Sequence, residues 1–159
     1  MKLEGPVSGV SEQCENVLRT LPRWFGIESS LLQYVRDTLT LPTFVARELD
    51  QIIAFLTIRE HFPEAWEVHC IAVRASQRRQ GVGRALHAHV ERWLSERGAR
   101  VLQVKTIADT HPSPEYAETR RFYASVGYTG LEVFPELWGP HFPVLQLVKV
   151  LPATLGAVR

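Results

Sequence analysis

Ile71-Ala72-Val73, then Arg78-Arg79-Gln80-Gly81-Val82-Gly83-Arg84-Ala85-Leu86, is the stretch on which the fold turns. An apolar strand ends at Val73, a short polar loop rich in Arg and Gln follows, and two glycines open a helix that the pattern carries to about Arg97. A helix start leaves free N–H groups and the positive end of a dipole. Gly81 and Gly83 carry no side chain to shield those groups, so an anion can reach the backbone. Arg78, Arg79 and Arg84 add charge around the opening. The stretch reads as a cradle for a pyrophosphate.

Two familiar phosphate loops fit it badly. A dinucleotide fingerprint requires Gly-x-Gly-x-x-Gly or Ala, and the sixth residue counted from Gly81 is Leu86. A P-loop ends in Gly-Lys-Ser or Gly-Lys-Thr, and Gly83 is followed by Arg84-Ala85. What fits is Arg-x-x-Gly-x-Gly, from Arg78 to Gly83. A second signature follows at Thr119-Arg120-Arg121-Phe122-Tyr123-Ala124-Ser125-Val126-Gly127-Tyr128. An aromatic residue precedes Tyr123, and Gly127-Tyr128 comes four residues later. Together the two motifs resemble the GNAT superfamily of acyltransferases, most clearly over residues 52–150. The resemblance implies an α/β, single-domain GNAT fold with a mixed, mostly antiparallel central sheet flanked by helices. It also implies acetyl-CoA as co-substrate, with its diphosphate on Arg78, Arg79, Gln80, Gly81, Val82, Gly83 and Arg84.

Composition sets the outer bounds. A chain of 159 residues is one domain, here 1–159, with room for a large core. It is 45% hydrophobic and 22% charged, ordinary for a globular protein. A formal net charge of +1 gives no basic excess to suggest nucleic acid. Cys14 and Cys70 are too few for a disulfide scaffold. No apolar run approaches the ~20 residues of a membrane span, and no charged-then-apolar leader is visible. A cytoplasmic location with no membrane partner is the expectation. His61, His87, His89 and His111 show no metal-ligand spacing, so no metal is expected.

Read in order, Met1 to Val10 is a loose leading segment. A helix over Ser11–Leu21 puts Cys14, Val17, Leu18 and Leu21 on one face, and Pro22 ends it. Ser29 or Ser30 caps a second helix that buries Leu31, Leu32, Val35 and Leu39, up to Pro42. Thr43–Arg47 and Ile52–Ile58 read as a hairpin, His61-Phe62-Pro63-Glu64 as a loop, and Trp66–Val73 as a third strand. The helix from Val82 turns Val82, Leu86, Val90, Trp93 and Leu94 inward and stops at Gly98. Val101–Thr106 is a fourth strand, Tyr116–Val126 a helix, and Tyr128–Phe134 and Val144–Val150 the final strands.

The chemistry expected of this chain follows from a few side chains. In the GNAT family the tyrosine matching Tyr123 lies near the thioester sulfur and often protonates the departing thiolate. A phenol with a pKa of about 10 can do this. Acyl transfer also needs a neutral amine, so a group must accept a proton. Strand alternation puts Glu67, His69, Ile71 and Val73 on one face, with Val68, Cys70 and Ala72 on the other. Some family members place a general-base Glu at the position of Glu67, and His69 is the alternative base. By the same resemblance, the backbone of Ile71, Ala72 and Val73 pairs with the pantetheine arm. Cys70 is read as a small buried hydrophobe facing away from Glu67.

The pattern departs from the family at Tyr116, where many members carry an Asn seven residues before the tyrosine. The acceptor is expected near Trp24, Phe25, Tyr34, Trp138 and His141. The reaction implied is transfer of an acetyl group to a primary amine of a small molecule or peptide, by direct attack in a ternary complex. The other function considered is a non-catalytic acyl-CoA-binding sensor. A homodimer is compatible with the family.

Overall fold

The computed structural model describes residues 1–154; the end of the domain expected over 1–159 lies outside the described residues. Seven strands form one sheet in the order β1-β2-β3-β4-β5-β7-β6. They are β1 (Lys2–Glu4), β2 (Thr43–Glu48), β3 (Gln51–Phe62), β4 (Ala65–Val73), β5 (Val101–Ile107), β6 (Thr129–Phe134) and β7 (Val144–Val150). The helices are α1 (Ser11–Leu18), α2 (Glu28–Asp37), α3 (Val82–Glu96) and α4 (Pro114–Ser125). All strand pairs are antiparallel except β4 with β5. This is the mixed, mostly antiparallel α/β fold expected from the motifs.

The sheet carries a core on each face. On one, Val82, Leu86, Val90 and Leu94 of α3 pack with Ile53, Val68, Leu102 and Val104 of the strands and with Tyr123 of α4. On the other, Cys14, Val17 and Leu18 of α1 and Leu31 of α2 cover Val45, Phe55, Cys70 and Ala72. The spacing of these apolar residues is what commits each helix to its side. Burying a Leu or Val side chain is worth about 1.5–3 kcal/mol, so neither helix layer is dispensable.

Several local expectations are corrected. The leading segment is not loose: Lys2, Leu3 and Glu4 pair with Arg47, Ala46 and Val45 as an edge strand. Three residues carry too little alternation to signal a strand, and the partner supplies the order. Neither Ser29 nor Ser30 caps α2, which begins at Glu28 after Ile27. Leu39 is exposed, because α2 ends at Asp37 before reaching it. His61 and Phe62 belong to β3, whose hairpin partner β4 extends it past the apolar run.

The largest consequence comes from a bulge. Thr57 pairs with Cys70 and Ile58 with Val68, so His69 is an extra residue in β4. A bulge interrupts the period-2 alternation and leaves the extra residue out of the ladder. Trp66 and Val68 therefore share the α3 face with Ile71 and Val73. Cys70 and Ala72 pack under α1 and α2, the side on which His69 meets Asp37 of α2. The strict alternation expected over Glu67–Val73 fails for this reason, and Cys70 does not face away from His69.

Candidate active site

β4 and β5 hold together at one end only. Ala65, Trp66 and Glu67 pair with Val101, Leu102 and Gln103, and beyond them the two strands are unpaired. The opening is a cleft of about 980 Å³ walled by Val68–Val73 of β4 and Val104–Ile107 of β5. α3 and its preceding loop close one end, and α4 and the α1–α2 connection flank it. The parting of two parallel neighbours in mid-sheet is what gives this fold its site.

The loop end is built on two glycines with different tasks. Gly81 caps α3 with φ 80°, in the left-handed region. A Cβ there would meet nothing within 4 Å, so the requirement is conformational. At Gly83 a Cβ would lie 3.3 Å from the Phe122 ring and 3.4 Å from Val73. Gly83 thus lets α3 sit close against α4 and β4. Ala85 N–H donates to Gly81 O as the first helical bond, leaving the N–H groups of Val82, Gly83 and Arg84 for a ligand. Arg79 also takes a positive φ, 60°, and such successive turns make anion-binding concavities. Arg78, Arg79, Gly81, Val82, Gly83 and Arg84 line the cleft; Gln80 is not among the lining residues and donates to Ser76 O.

The loop's arginines already have partners. Arg78 and Arg79 donate to the two oxygens of Glu118 at 3.1 and 2.9 Å. Arg78 also lies over the Trp24 ring at 4.0 Å, and the Trp24 indole donates to Glu115 O. Arg84 donates to Ser125 O. These contacts tie the loop to α4 and to the α1–α2 connection across the cleft.

Farther in, Tyr123 lines the cleft while only 4% exposed. Burial pushes its phenol well above the ordinary value, so it stays protonated and keeps an O–H to donate. Its ring lies 5.2 Å from that of Tyr128 and 5.3 Å from that of Phe122, which fixes its direction. Cys70 also reaches the cleft, but burial drives its thiol up, away from the nucleophilic thiolate.

The two candidate bases differ. Glu67 accepts from Lys105 Nζ at 2.9 Å and lies 2.5 Å from His61 Nε2. Burial raises the Glu67 carboxyl, but the bonds to Lys105 and His61 outweigh it and hold it below its ordinary value. It is not among the residues lining the cleft, whereas Lys105 is. His69 lines the cleft, and its Nε2 lies 2.7 Å from Asp37 Oδ2. Asp37 also accepts from Gln33 Nε2 at 2.8 Å. Burial raises the Asp37 carboxyl, and the Gln33 and His69 bonds more than reverse that.

At the far end the walls are aromatic. Phe25 packs edge-on to Tyr34 at 5.7 Å, and Tyr34 lies 5.4 Å from the His69 ring. Trp138 and Phe142, from the β6–β7 connection, and Tyr116 also line the cleft. Trp24, Phe25, Tyr34 and Trp138 all line the cleft, Trp24 beside Arg78 of the loop; His141 is not among the lining residues. No group of three His, Cys, Asp or Glu among the described residues could hold a metal. No helix among them is long and apolar enough to cross a membrane.

Comparison with known proteins closes the identification. Residues 13–128 match the Acetyltransferase (GNAT) family. The chain belongs to that family. Its fold is shared with an aminoglycoside 6'-N-acetyltransferase solved with coenzyme A, at 19% identity and TM-score 0.76, covering 97% of this chain and 99% of that one. An aminoglycoside 6'-N-acetyltransferase from Enterococcus faecium matches at 20% identity and TM-score 0.76, covering 97% and 99%. A ribosomal-protein-alanine N-acetyltransferase from Brucella melitensis matches at 18% identity and TM-score 0.69, covering 95% and 100%. No curated protein matches the chain. The neighbours' stated substrates differ while the fold persists, so the GNAT scaffold alone does not select an acceptor.

Three residues at this GNAT site escaped the sequence. Asp37 and Lys105 are ordinary charged residues on a helix end and a strand, and only the fold brings them to His69 and Glu67. Glu118 sits five residues before Tyr123, but nothing in the sequence says that Arg78 and Arg79 will reach it.

Proposed function

We propose that the protein is an N-acetyltransferase that moves an acetyl group from acetyl-CoA to a primary amine by direct attack. The observation that carries the reading is that one cleft gathers these groups. An anion-binding helix start stands at one end, and a buried, protonated Tyr123 and a carboxylate-paired His69 stand within it.

The residues present fit a coenzyme A diphosphate. Free N–H groups at the start of α3 would hold its oxygens, with Arg79 and Arg84 as flanking cations. The unpaired edge of β4 over Ile71, Ala72 and Val73 offers backbone groups to an extended amide-bearing arm. When bound, acetyl-CoA supplies an activated acetyl thioester.

His69 takes the proton from the attacking amine, with Asp37 orienting the ring and stabilising the charge it gains. His69 is preferred to Glu67, because Glu67 is held by Lys105 and His61 and lies off the cleft wall. Glu67 keeps Lys105 in place, and with it the charge on that wall. The Tyr123 hydroxyl, held protonated, donates a hydrogen bond to the leaving sulfur. The base lies on β4 and the hydroxyl donor on α4.

Release of free thiol from acetyl-CoA over a panel of primary amines tests the proposal. Amine-dependent release is expected. Tight coenzyme A binding with no release on any amine would replace the enzyme with a sensor of acyl-CoA.

A further inference from the structure

We propose that the acceptor is a small monoamine carried on an aromatic group. This rests on the acetyl-transfer reading and deepens it.

Charge and lining carry the inference. The cleft wall beyond His69 is made by Phe25, Tyr34, Tyr116, Trp138 and Phe142. The aromatic chain is continuous: Phe25 meets Tyr34, and Tyr34 meets His69. Tyr116 meets His111, which stacks on Phe142 at 5.9 Å and 17°. Tyr34 and Tyr116 line the same cleft. Aromatic walls take a ring edge-on or stacked. Trp138 and Phe142 are 47% and 40% exposed, large apolar surface at the mouth that a ring would cover.

Acids are missing where a polycation would need them. Among the described lining residues Glu118 is the single carboxylate, and Arg78 and Arg79 engage both its oxygens. Asp37 and Glu67 stand behind the wall, bound to His69 and to Lys105 with His61. Lys105 and Arg121 add positive charge to the lining. A ligand with several ammonium groups would meet cations and no free carboxylate, at a cost that grows with each added charge. A single amine escapes this, because it loses its proton to His69 on the way to reaction, while its ring is held by apolar contact.

Calorimetry on the protein saturated with coenzyme A tests this, using 2-phenylethylamine, n-butylamine, spermidine and an aminoglycoside as probes. 2-Phenylethylamine should bind about tenfold more tightly than n-butylamine, the effect of burying one ring. Spermidine and the aminoglycoside should bind more weakly than either. Tyr34→Ala and Phe142→Ala should each erase most of the preference for the ring, with coenzyme A binding reporting that the variant is folded. Equal affinity for the aryl and butyl amines, tighter binding of either polycation, or no amine binding at all would overturn the inference. Binding of 2-phenylethylamine with the expected preference but without thiol release from acetyl-CoA would instead overturn the transfer reading and leave the aromatic chamber standing.

Discussion

Tyr123 and His69 are assigned separate roles, donor to the leaving sulfur and acceptor of the amine proton, and single substitutions separate them. Tyr123→Phe keeps the ring packing against Phe122 and Tyr128 and removes only the donor. kcat should fall about 100-fold, with coenzyme A affinity retained, as measured by thiol release and calorimetry. His69→Asn should lower kcat by a similar factor with coenzyme A affinity retained, read by the same two assays. Glu67→Gln should cost far less, since the amide still accepts from Lys105; a loss equal to that of His69→Asn would return the base to Glu67. Tyr123 was legible because it lies in a dense local motif. The choice between Glu67 and His69 was not, because it depends on a one-residue bulge and on Asp37, 32 residues away. Alternation counts residues and cannot see an extra one.

The loop entering α3 shows the same division at the level of an element. Its start, its glycines and its apolar stripe were all readable, because each is a local requirement of strand, turn or helix. The reason for each glycine was not. Gly81 is held at φ 80° with open space around it, so Gly81→Ala should fit and still cost about 1 kcal/mol, or about 2–4 °C in Tm by calorimetric scanning. Gly81→Asn should recover most of that loss, since Asn tolerates the left-handed region. Gly83→Val meets Phe122 and Val73 instead, and should cost about 1–3 kcal/mol with no Asn rescue. Both valine and alanine variants should weaken coenzyme A binding by displacing the helix start. If Gly83→Val left Tm and affinity unchanged, the close approach of α3 and α4 would not matter. β1 was missed for the converse reason: three residues form a strand only because β2 offers an edge.

Across the whole molecule, one buried polar cluster couples the α3 core to the last strands. His87 of α3 is 1% exposed, and its Nε2 lies 2.8 Å from the Tyr128 hydroxyl. Glu91, one turn on, lies 3.8 Å from its Nδ1 and pairs with Lys149 of β7. The helical pattern marked Leu86 and Val90 as core and gave no sign that the histidine between them is buried too. Burial, helped by the Lys149 charge, lowers the His87 pKa from 6.5 to about 4. The folded chain therefore keeps His87 neutral where the unfolded chain protonates it. Between pH 6.5 and 4 the unfolded state binds the extra proton, so stability falls as pH falls through that window. The full loss is about 3 kcal/mol, at 1.4 kcal/mol per pKa unit, and none of it appears above pH 7. Denaturant unfolding at pH 7.5, 6, 5 and 4.5 reads it directly. His87→Gln removes the titration while keeping an amide beside the Tyr128 hydroxyl, and should flatten the curve down to the range where carboxylates begin to titrate. An unchanged slope in that variant would move the acid sensitivity elsewhere in the chain.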